Sequence, residues 1–243
     1  MRAVEKMMST QDVVDEVVVR LDELSDPVRI EVAKNYYPTS LTVKGVAVPK
    51  LRPIVKDLRK RFGKGPPEDV ISLAKRLKEA RILEVDQIAY ELIDKNRAVI
   101  ESLTLDDCLA LGDGIDNWVS VDCFAGMVAG PAWRLSRFPD SVVEDWAVSE
   151  DRWWRRAAVV CTVALNQKSR GGTGDPERTL KICSIVASDK DDMVAKALSW
   201  ALRELSKREQ EPVLAFVEEY ENVLPKRVLR EVRRKIETGR KYG

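Results

Sequence analysis

Histidine is missing from the 243-residue sequence. Its absence excludes the Ser-His-Asp triad, the Cys-His nucleophile pair and the zinc-binding helix that uses two histidines. Any acid–base chemistry must therefore use Asp, Glu, Lys, Tyr or water. Most transition-metal sites are disfavoured for the same reason, and we expect neither a metal nor another cofactor.

The sequence also has little that would place it in a membrane or an oxidising compartment. No stretch approaches the roughly 18 apolar residues of a membrane span, and no long apolar run follows the N-terminal charges, as it would in a signal peptide. The four cysteines lack Cys-x-x-Cys spacing and lie among apolar residues, which is typical of reduced core thiols. They are Cys108, Cys123, Cys161 and Cys183. We expect a cytoplasmic protein.

The charges are nearly balanced in total but are segregated along the chain. The formal net charge is +1, from 41 basic and 40 acidic residues. Residues 11–31 carry a local charge of −5, whereas residues 50–64 and 226–241 each carry +6. Such blocks can form a basic face that attracts phosphates, although each block alone can also be the solvated side of a helix.

Apolar residues recur at three- and four-residue spacing, and Pro and Gly fall between these stretches. This pattern predicts helices. Residues 41–48 alternate briefly like a strand but are interpreted as a connector, and the glycine-containing segment 167–176 is predicted to be a mobile surface loop. The predicted helices span about 11–24, a segment opened by Pro27, 49–62, 68–80, 84–95, 104–112, 118–129, 140–148, 152–167, 176–188, 191–207, 212–219 and 225–237.

Small residues recur within the apolar helices at intervals of roughly 30 to 40 residues, as in HEAT and armadillo repeats. They are Ala89, Ala125, Ala157, Ala158, Ala195 and Ala197. Alanine lets stacked helices approach closely, and such arrays curve to present a concave surface. We therefore predict an all-α fold, a right-handed α-solenoid of HEAT-like helical pairs that forms a single domain over residues 1–243. An irregular helical bundle is the alternative.

Trp118 and Asp122 are four residues apart, which on a helix puts the indole and the carboxylate on one face. The apolar positions Val119, Val121 and Phe124 would face the core. A capped helix start with a surface acid explains the same spacing.

Two later segments combine tryptophan with basic residues. Arg152-Trp153-Trp154-Arg155-Arg156 places two indoles among three arginines at a helix start. Arginine can bind phosphate through paired hydrogen bonds, and tryptophan can stack or form a flat apolar wall. The alternative is that one tryptophan is in the core and the arginines pair with nearby acids.

In the third segment, Lys196, Trp200 and Arg203 share a helix face by their spacing. Two cations beside an indole suit a phosphate backbone with a sugar or base against the ring. A buried tryptophan with long basic neighbours explains the pattern equally well.

Taken together, these segments resemble the DNA alkylation repair enzymes built of HEAT-like repeats. The family motifs are Trp-x-x-x-Asp, Trp-x-x-Arg-Ala-Ala and Lys-Ala-x-x-Trp-x-Leu-Arg-Glu. They correspond here to residues 118–122, 153–158 and 196–204. Residues 45–52, Gly-Val-Ala-Val-Pro-Lys-Leu-Arg, are also similar to the connector and helix near the family's N-terminus. The resemblance extends from about Tyr36 to Glu237.

The resemblance implies a monofunctional DNA glycosylase that removes cationic alkylated purines, such as N3-methyladenine and N7-methylguanine, from duplex DNA. Asp122 would be the catalytic carboxylate, Trp118 and Trp200 would flank the deoxyribose of the lesion, and Arg156 would bind the adjacent backbone. Additional DNA contacts are expected from Arg152, Arg155, Lys196 and Arg203. The partner would be DNA alone, with no membrane or metal, and we expect a monomer.

A cationic purine leaves without a general acid, so a site without histidine can suffice. The transition state places positive charge on the deoxyribose, where a carboxylate stabilises it and indole faces add cation–π attraction. Two other functions are open: a non-catalytic binder of DNA structures on the same fold, and a scaffold for protein partners.

Overall fold

A computed structural model describes residues 9–240. The N-terminal charges considered above lie in residues 1–8, outside the described part, as does Lys241 at the end of the second basic block. The helices are α1 (Thr10–Glu23), α2 (Pro27–Tyr36), α3 (Val48–Phe62), α4 (Pro67–Lys78), α5 (Leu83–Ile93), α6 (Arg97–Ser102), α7 (Leu105–Gly112), α8 (Trp118–Phe124), α9 (Gly130–Arg134), α10 (Asp140–Ala147), α11 (Arg152–Asn166), α12 (Pro176–Ile185), α13 (Asp192–Leu205), α14 (Gln210–Glu219) and α15 (Lys226–Thr238).

Successive helices pack as stacked pairs. Helix α5 lies against α4, α11 against α10, α13 against α12, and α15 against α14. The second helices of these pairs, together with α3 and α8, form an inner row in which α3, α5, α8, α11, α13 and α15 contact one another in chain order. This arrangement confirms the predicted all-helical repeat fold. The handedness of its superhelix stays a prediction.

The interior is apolar and continuous along the stack. Helix α11 lies at its centre, and Ala157, Ala158 and Val160 there are fully buried. All four cysteines are free thiols, and Cys108, Cys161 and Cys183 are buried as predicted, whereas Cys123 is half-buried. Among residues 9–240, no helix is both long and apolar enough to cross a bilayer.

Three of the inner helices begin at capping side chains. Asn117 accepts a hydrogen bond from the Ser120 backbone at the start of α8, Asp151 caps α11, and Asp191 caps α13. A cap of this kind stabilises a helix by about 1 kcal/mol because it satisfies N–H groups that have no partner in the first turn. The caps fix where each of these helices starts.

The prediction for residues 118–129 was too short. The helix continues after α8 through a π-helical turn, Ala125–Ala129, into α9 and ends at Arg134. A π-helical turn pairs each N–H with the carbonyl five residues earlier. Pro131 has no N–H for the carbonyl of Gly126, which instead accepts a hydrogen bond from Arg170 Nη1 at 3.3 Å. The short helix α6 was also missed, because six residues are too few for a clear helical period.

The two predicted connectors differ in outcome. Residues 41–47 do form a connector, and its one ladder contact with the rest of residues 9–240 is an isolated bridge from Thr42 to Ile82. Segment 167–175 lies mostly at the surface, as predicted, but it packs against the protein at one point. It contains a 3₁₀ turn, Lys168–Arg170. Gly172 is buried against the end of α11, where a Cβ would come within 2.8 Å of backbone atoms. Gly172, one of the three glycines of the segment, thus permits close packing.

Gly130 provides a test of this packing. A Cβ built there lies 2.7 Å from Ala164 Cβ and 2.8 Å from the Cys161 carbonyl oxygen, so Gly130→Ala forces α9 and α11 apart. We expect a loss of about 1–3 kcal/mol in the free energy of unfolding, measured by urea denaturation. The matched control is Gly126→Ala, whose Cβ meets nothing within 4 Å. Equal stability of the two variants would contradict close packing at Gly130.

Candidate functional site

The predicted site residues lie on three consecutive inner helices. Helix α8 carries Trp118 and Asp122, α11 carries Arg156, and α13 carries Trp200. The apolar side of α8 is formed by Val121 and Phe124, both fully buried, whereas Val119 is only half-buried. The predicted division of α8 into a core face and an acid-bearing face therefore holds, with Val119 at the boundary.

Asp122 and Arg156 form a two-hydrogen-bond ion pair between α8 and α11. Arg156 Nε donates to Asp122 Oδ1 at 2.9 Å, and Nη2 donates to Oδ2 at 2.8 Å. A third hydrogen bond runs from Nη1 to the Met193 carbonyl oxygen of α13. The Arg156 side chain is 7% exposed and that of Asp122 is 21% exposed. One guanidinium therefore ties together all three helices of the site.

Burial and pairing act in opposite directions on the Asp122 carboxyl. Loss of solvation raises its pKa above the ordinary aspartate value, while the charge and hydrogen bonds of Arg156 lower it. The pKa remains raised on balance. Arg156 therefore limits the upward shift that burial alone would cause.

On the other side of Arg156 lies a basic groove of about 530 Å³. Five of its lining residues are basic and one is acidic, and the indole of Trp200 forms part of its wall. The lining residues are Arg156, Lys196, Trp200, Arg203, Arg227, Arg230 and Glu231. This composition suits a polyanion with a flat or apolar moiety placed against the indole.

Helix α15 contributes basic residues to the groove that were not singled out individually from the sequence. Arg227 and Arg230 lie in the basic block that was noted at residues 226–241, so a charge signal was present. Their proximity to Trp200 could not be deduced because it depends on how α15 packs against α13. At the groove edge, Asp192 pairs with both Lys196, at 2.7 Å, and Arg227, at 2.8 Å.

Trp118 lies one helical turn from Asp122 and packs against α2. Its ring meets Tyr36 and Tyr37 edge-on, at centroid distances of 5.5 and 6.0 Å. Tyr36 is exposed, and no pattern in the sequence distinguished it. The structure therefore pairs Asp122 with Arg156, which lines the groove together with Trp200, and places Trp118 in a separate aromatic cluster one helical turn from Asp122.

The start of α8 is fixed by polar contacts to the connector after α2. Thr39 Oγ1 and the Ser40 backbone N–H both donate to the Asp116 carboxylate, and Asn117 Nδ2 donates to Thr39 Oγ1. Burial opposes ionisation of Asp116, but these hydrogen bonds outweigh it and lower its pKa. The contacts hold Trp118 next to the tyrosines of α2.

The paired tryptophans of α11 have different surroundings. Trp154 is half-buried and packs against Phe124 and Trp146, with ring centroids 5.9 and 4.9 Å away. Trp153 is half-buried and lies beneath the guanidinium of Arg152, 4.7 Å from its ring centroid. Both indoles are half-buried, and Trp154 is the one that packs against the core aromatic residues Phe124 and Trp146.

The adjacent arginines also differ. Arg155 Nε donates to Asp189 at 2.7 Å, and its Nη1 donates to two backbone carbonyls before α11. Arg152 is 52% exposed and only loosely paired with Asp191, at 3.5 Å. Arg155 thus secures the start of α11, whereas the guanidinium of Arg152 is open to solvent.

Arg203 lies deeper in the groove, 13% exposed. Its Nε donates to Ser199 Oγ at 3.2 Å and lies 3.7 Å from Glu231 Oε2. Ser199 Oγ also donates to Glu231 at 2.6 Å, so the single groove acid is held by neighbouring side chains. Among residues 9–240, no group of three Cys, Asp or Glu side chains is arranged to hold a metal ion.

Comparison with known proteins gives one family. A family model described as DNA alkylation repair enzyme matches residues 17–236. The solved structure of a predicted DNA alkylation repair enzyme from Enterococcus faecalis has the same fold, with a TM-score of 0.69 at 20% sequence identity over 88% of this chain and 97% of that chain. No curated protein matches the chain. Because the family model covers most of its length, the chain belongs to the DNA alkylation repair enzyme family.

Proposed function

We propose that this protein is a monofunctional DNA glycosylase that excises cationic alkylated purines, N3-methyladenine and N7-methylguanine among them, from duplex DNA in base excision repair. The observation that carries the proposal is the Asp122 carboxylate, partly exposed and paired with Arg156 at the wall of a basic groove that also holds Trp200. Residues 1–243 would form one glycosylase domain that acts as a monomer. The free cysteines support a cytoplasmic location.

The chemistry requires stabilisation of the sugar more than activation of the base. Alkylation at N3 or N7 makes the purine cationic, so that it departs as a neutral molecule when the N-glycosidic bond breaks. Positive charge then develops on the deoxyribose. An ionised Asp122 stabilises this charge and can orient or deprotonate the attacking water.

Arg156 has two roles in this proposal. Its bonds to both oxygens of Asp122 set the orientation of the carboxylate and favour its ionised form. A guanidinium has five N–H donors, and Arg156 also lines the groove, so it can contact a DNA phosphate without leaving Asp122.

The remaining residues would hold the DNA. Trp118 and Trp200 would flank the deoxyribose of the lesion, and their indole faces would attract its positive charge. Arg152, Lys196 and Arg203 would bind phosphates, joined by Arg227 and Arg230. We propose at most a minor role for Arg155 because its donors have protein partners.

Two other functions make different predictions. A non-catalytic binder of DNA structures would bind duplexes through the groove but release no base. A protein scaffold would bind DNA weakly and with little salt dependence, since salt dependence arises from phosphate neutralisation. Neither function gives a reason for a partly exposed carboxylate paired with an arginine of the groove wall.

Asp122→Asn tests the carboxylate directly. The change keeps the shape and removes the charge, so excision from methylated duplex DNA should fall by about two to three orders of magnitude. DNA binding should persist or improve because the variant has one negative charge fewer near the phosphates. Free base released under single-turnover conditions measures the first effect, and fluorescence anisotropy measures the second.

Asp189→Asn is the matched control. Asp189 pairs at 2.7 Å with Arg155, which lies next to Arg156 on α11. It removes a comparable ion pair away from the groove and should leave excision unchanged. A wild-type rate in Asp122→Asn, or an equal loss in both variants, would assign the catalytic role to another residue.

The pH dependence of excision should report the protonation of Asp122. Since burial raises its pKa, the rate should start to fall at a pH above the ordinary aspartate range, near 3.9, and continue to fall as the pH is lowered. Arg156→Gln removes the influence that lowers this pKa, so the decline should begin at a higher pH. Rates corrected for spontaneous acid depurination measure both profiles. Coincident profiles would show that Arg156 does not govern the ionisation of Asp122.

The choice of leaving group is the remaining test. A neutral base such as uracil or hypoxanthine is a poor leaving group and needs proton donation or strong hydrogen bonding, usually in a closed pocket. The groove contains one acid, Glu231, which is already held by Ser199. We expect release of N7-methylguanine or N3-methyladenine, and none of uracil or hypoxanthine, from matched duplexes at neutral pH. Efficient uracil release would overturn the proposal that this site excises only bases that leave without proton donation.

A further inference from the structure

A second basic pocket lies outside the site described above, at the far end of the helix that carries Asp122. Its volume is about 350 Å³. Four of its side chains are basic and one is acidic, and these are Lys95, Arg97, Arg134, Arg170 and Asp94. They come from the turn after α5 with the start of α6, the end of α9, and the 3₁₀ turn at 168–170. The pocket therefore gathers positive charge from three separate parts of the chain.

Two of these cations have no carboxylate partner in the described part of the chain. Lys95 and Arg134 form no ion pair there, whereas Arg170 pairs with Asp94 at 2.8 Å and Arg97 pairs with Glu101 at the surface. Arg134 is anchored by a hydrogen bond from Nη1 to the Ala164 carbonyl oxygen. Burial and the nearby charge of Arg97 lower its pKa. An anion in the pocket would relieve this repulsion.

The backbone beside Arg134 leaves its guanidinium accessible to a ligand in the pocket. Gly171, at φ +79°, is the residue beside Arg134 Nη2, where even a Cβ would approach to 3.4 Å. Lys95 also has a positive φ, 63°, which is uncommon for a residue other than glycine. This conformation places Lys95 at the pocket rather than in continuation of α5. The turn geometry thus serves to expose cationic groups.

The pocket is connected to the candidate active site by one continuous helix. Asp122 and Gly126 are one turn apart on it, and Arg170 donates to the Gly126 carbonyl while lining the pocket. From Asp122 to Arg134 the helix advances twelve residues, or roughly 18 Å at 1.5 Å per residue. For a duplex whose axis runs parallel to this helix, that distance corresponds to about five base pairs at 3.4 Å per step.

We propose that this pocket, lined by Lys95, Arg97, Arg134 and Arg170, binds a backbone phosphate of the same DNA duplex, about five base pairs from the residue held at Asp122. The proposal rests on the proposed function for the presence of DNA, but not on any excision step. The pocket would fix the duplex along the helix axis and so set which nucleotide lies opposite the carboxylate.

The test variant is Lys95→Asn combined with Arg97→Gln. Asparagine tolerates the left-handed backbone at position 95, and both changes lie at exposed positions, so folding should be preserved. For undamaged duplex DNA, the slope of log affinity against log salt concentration should become shallower by about 0.9 for each phosphate that the variant no longer neutralises. Affinity at low salt should fall. Fluorescence anisotropy over a salt series gives both quantities.

The control removes two exposed cations elsewhere, Arg76→Gln and Lys181→Gln, which lie on α4 and α12, the first helices of their pairs. It should retain the wild-type slope. An unchanged slope in the pocket variant, or an equal change in the control, would overturn the proposal. Calorimetric titration with inorganic phosphate forms a second arm. If the pocket variant loses phosphate binding but keeps the wild-type slope with DNA, the pocket is a small-anion site and the duplex assignment is wrong.

The result is separable from the fate of the proposed function. A protein that excises no base but shows the shallower slope would overturn the glycosylase proposal and support the pocket. If the protein excises bases but the pocket variant keeps the wild-type salt slope, the glycosylase proposal is supported and the pocket proposal is overturned. Absence of DNA binding by the wild-type protein would overturn both.

Discussion

The ion pair of Asp122 and Arg156 is the interaction on which the candidate site depends. A carboxylate this far removed from solvent would lose much of its tendency to ionise if it stood alone. Arg156 compensates through two hydrogen bonds to the carboxylate, and it is itself anchored to the Met193 carbonyl. Removal of either partner would leave an unpaired charge in a partly buried position, which is strongly unfavourable.

The repeat packing makes this pair possible. Gly130 and Ala164 let the helix that carries Asp122 approach α11 closely, and the caps Asn117 and Asp151 fix where α8 and α11 begin. Asp122 and Arg156 are each the fifth residue of their helix, so they lie at the same level along the two neighbouring helices. The close-packed apolar core behind α8 and α11 leaves these helices little freedom to shift.

The protein produces a basic groove although its net charge is only +1. It does so by placing acids where they pair with structural arginines. Asp189 neutralises Arg155 outside the groove, whereas the groove lining contains five basic residues and only Glu231 as an acid. A balanced composition therefore gives a locally positive surface, because many acids pair with arginines outside the groove while basic residues line it.

The sequence by itself determined the helices and the neighbours within each helix. Hydrophobic periodicity located every long helix, and the spacing of Trp118 and Asp122 placed them on one side of α8, because a helix repeats every 3.6 residues. It did not find the short helix α6 or the extension through Pro131, since six residues and a proline give no helical signal. Nor did it reveal that Gly172 permits close packing.

Only the tertiary structure decided which of several adjacent residues faces the groove. Arg155 and Arg156 have the same chemistry and differ by about 100° around the helix axis, and the packing of α11 between α8 and α13 turned Arg156 toward Asp122 and Arg155 toward Asp189. The same rotation turned Trp154 toward Phe124 and Trp146. Contacts between helices distant in the chain, such as Arg227 with Asp192, depend on the angle at which the helices stack, and local sequence does not encode that angle.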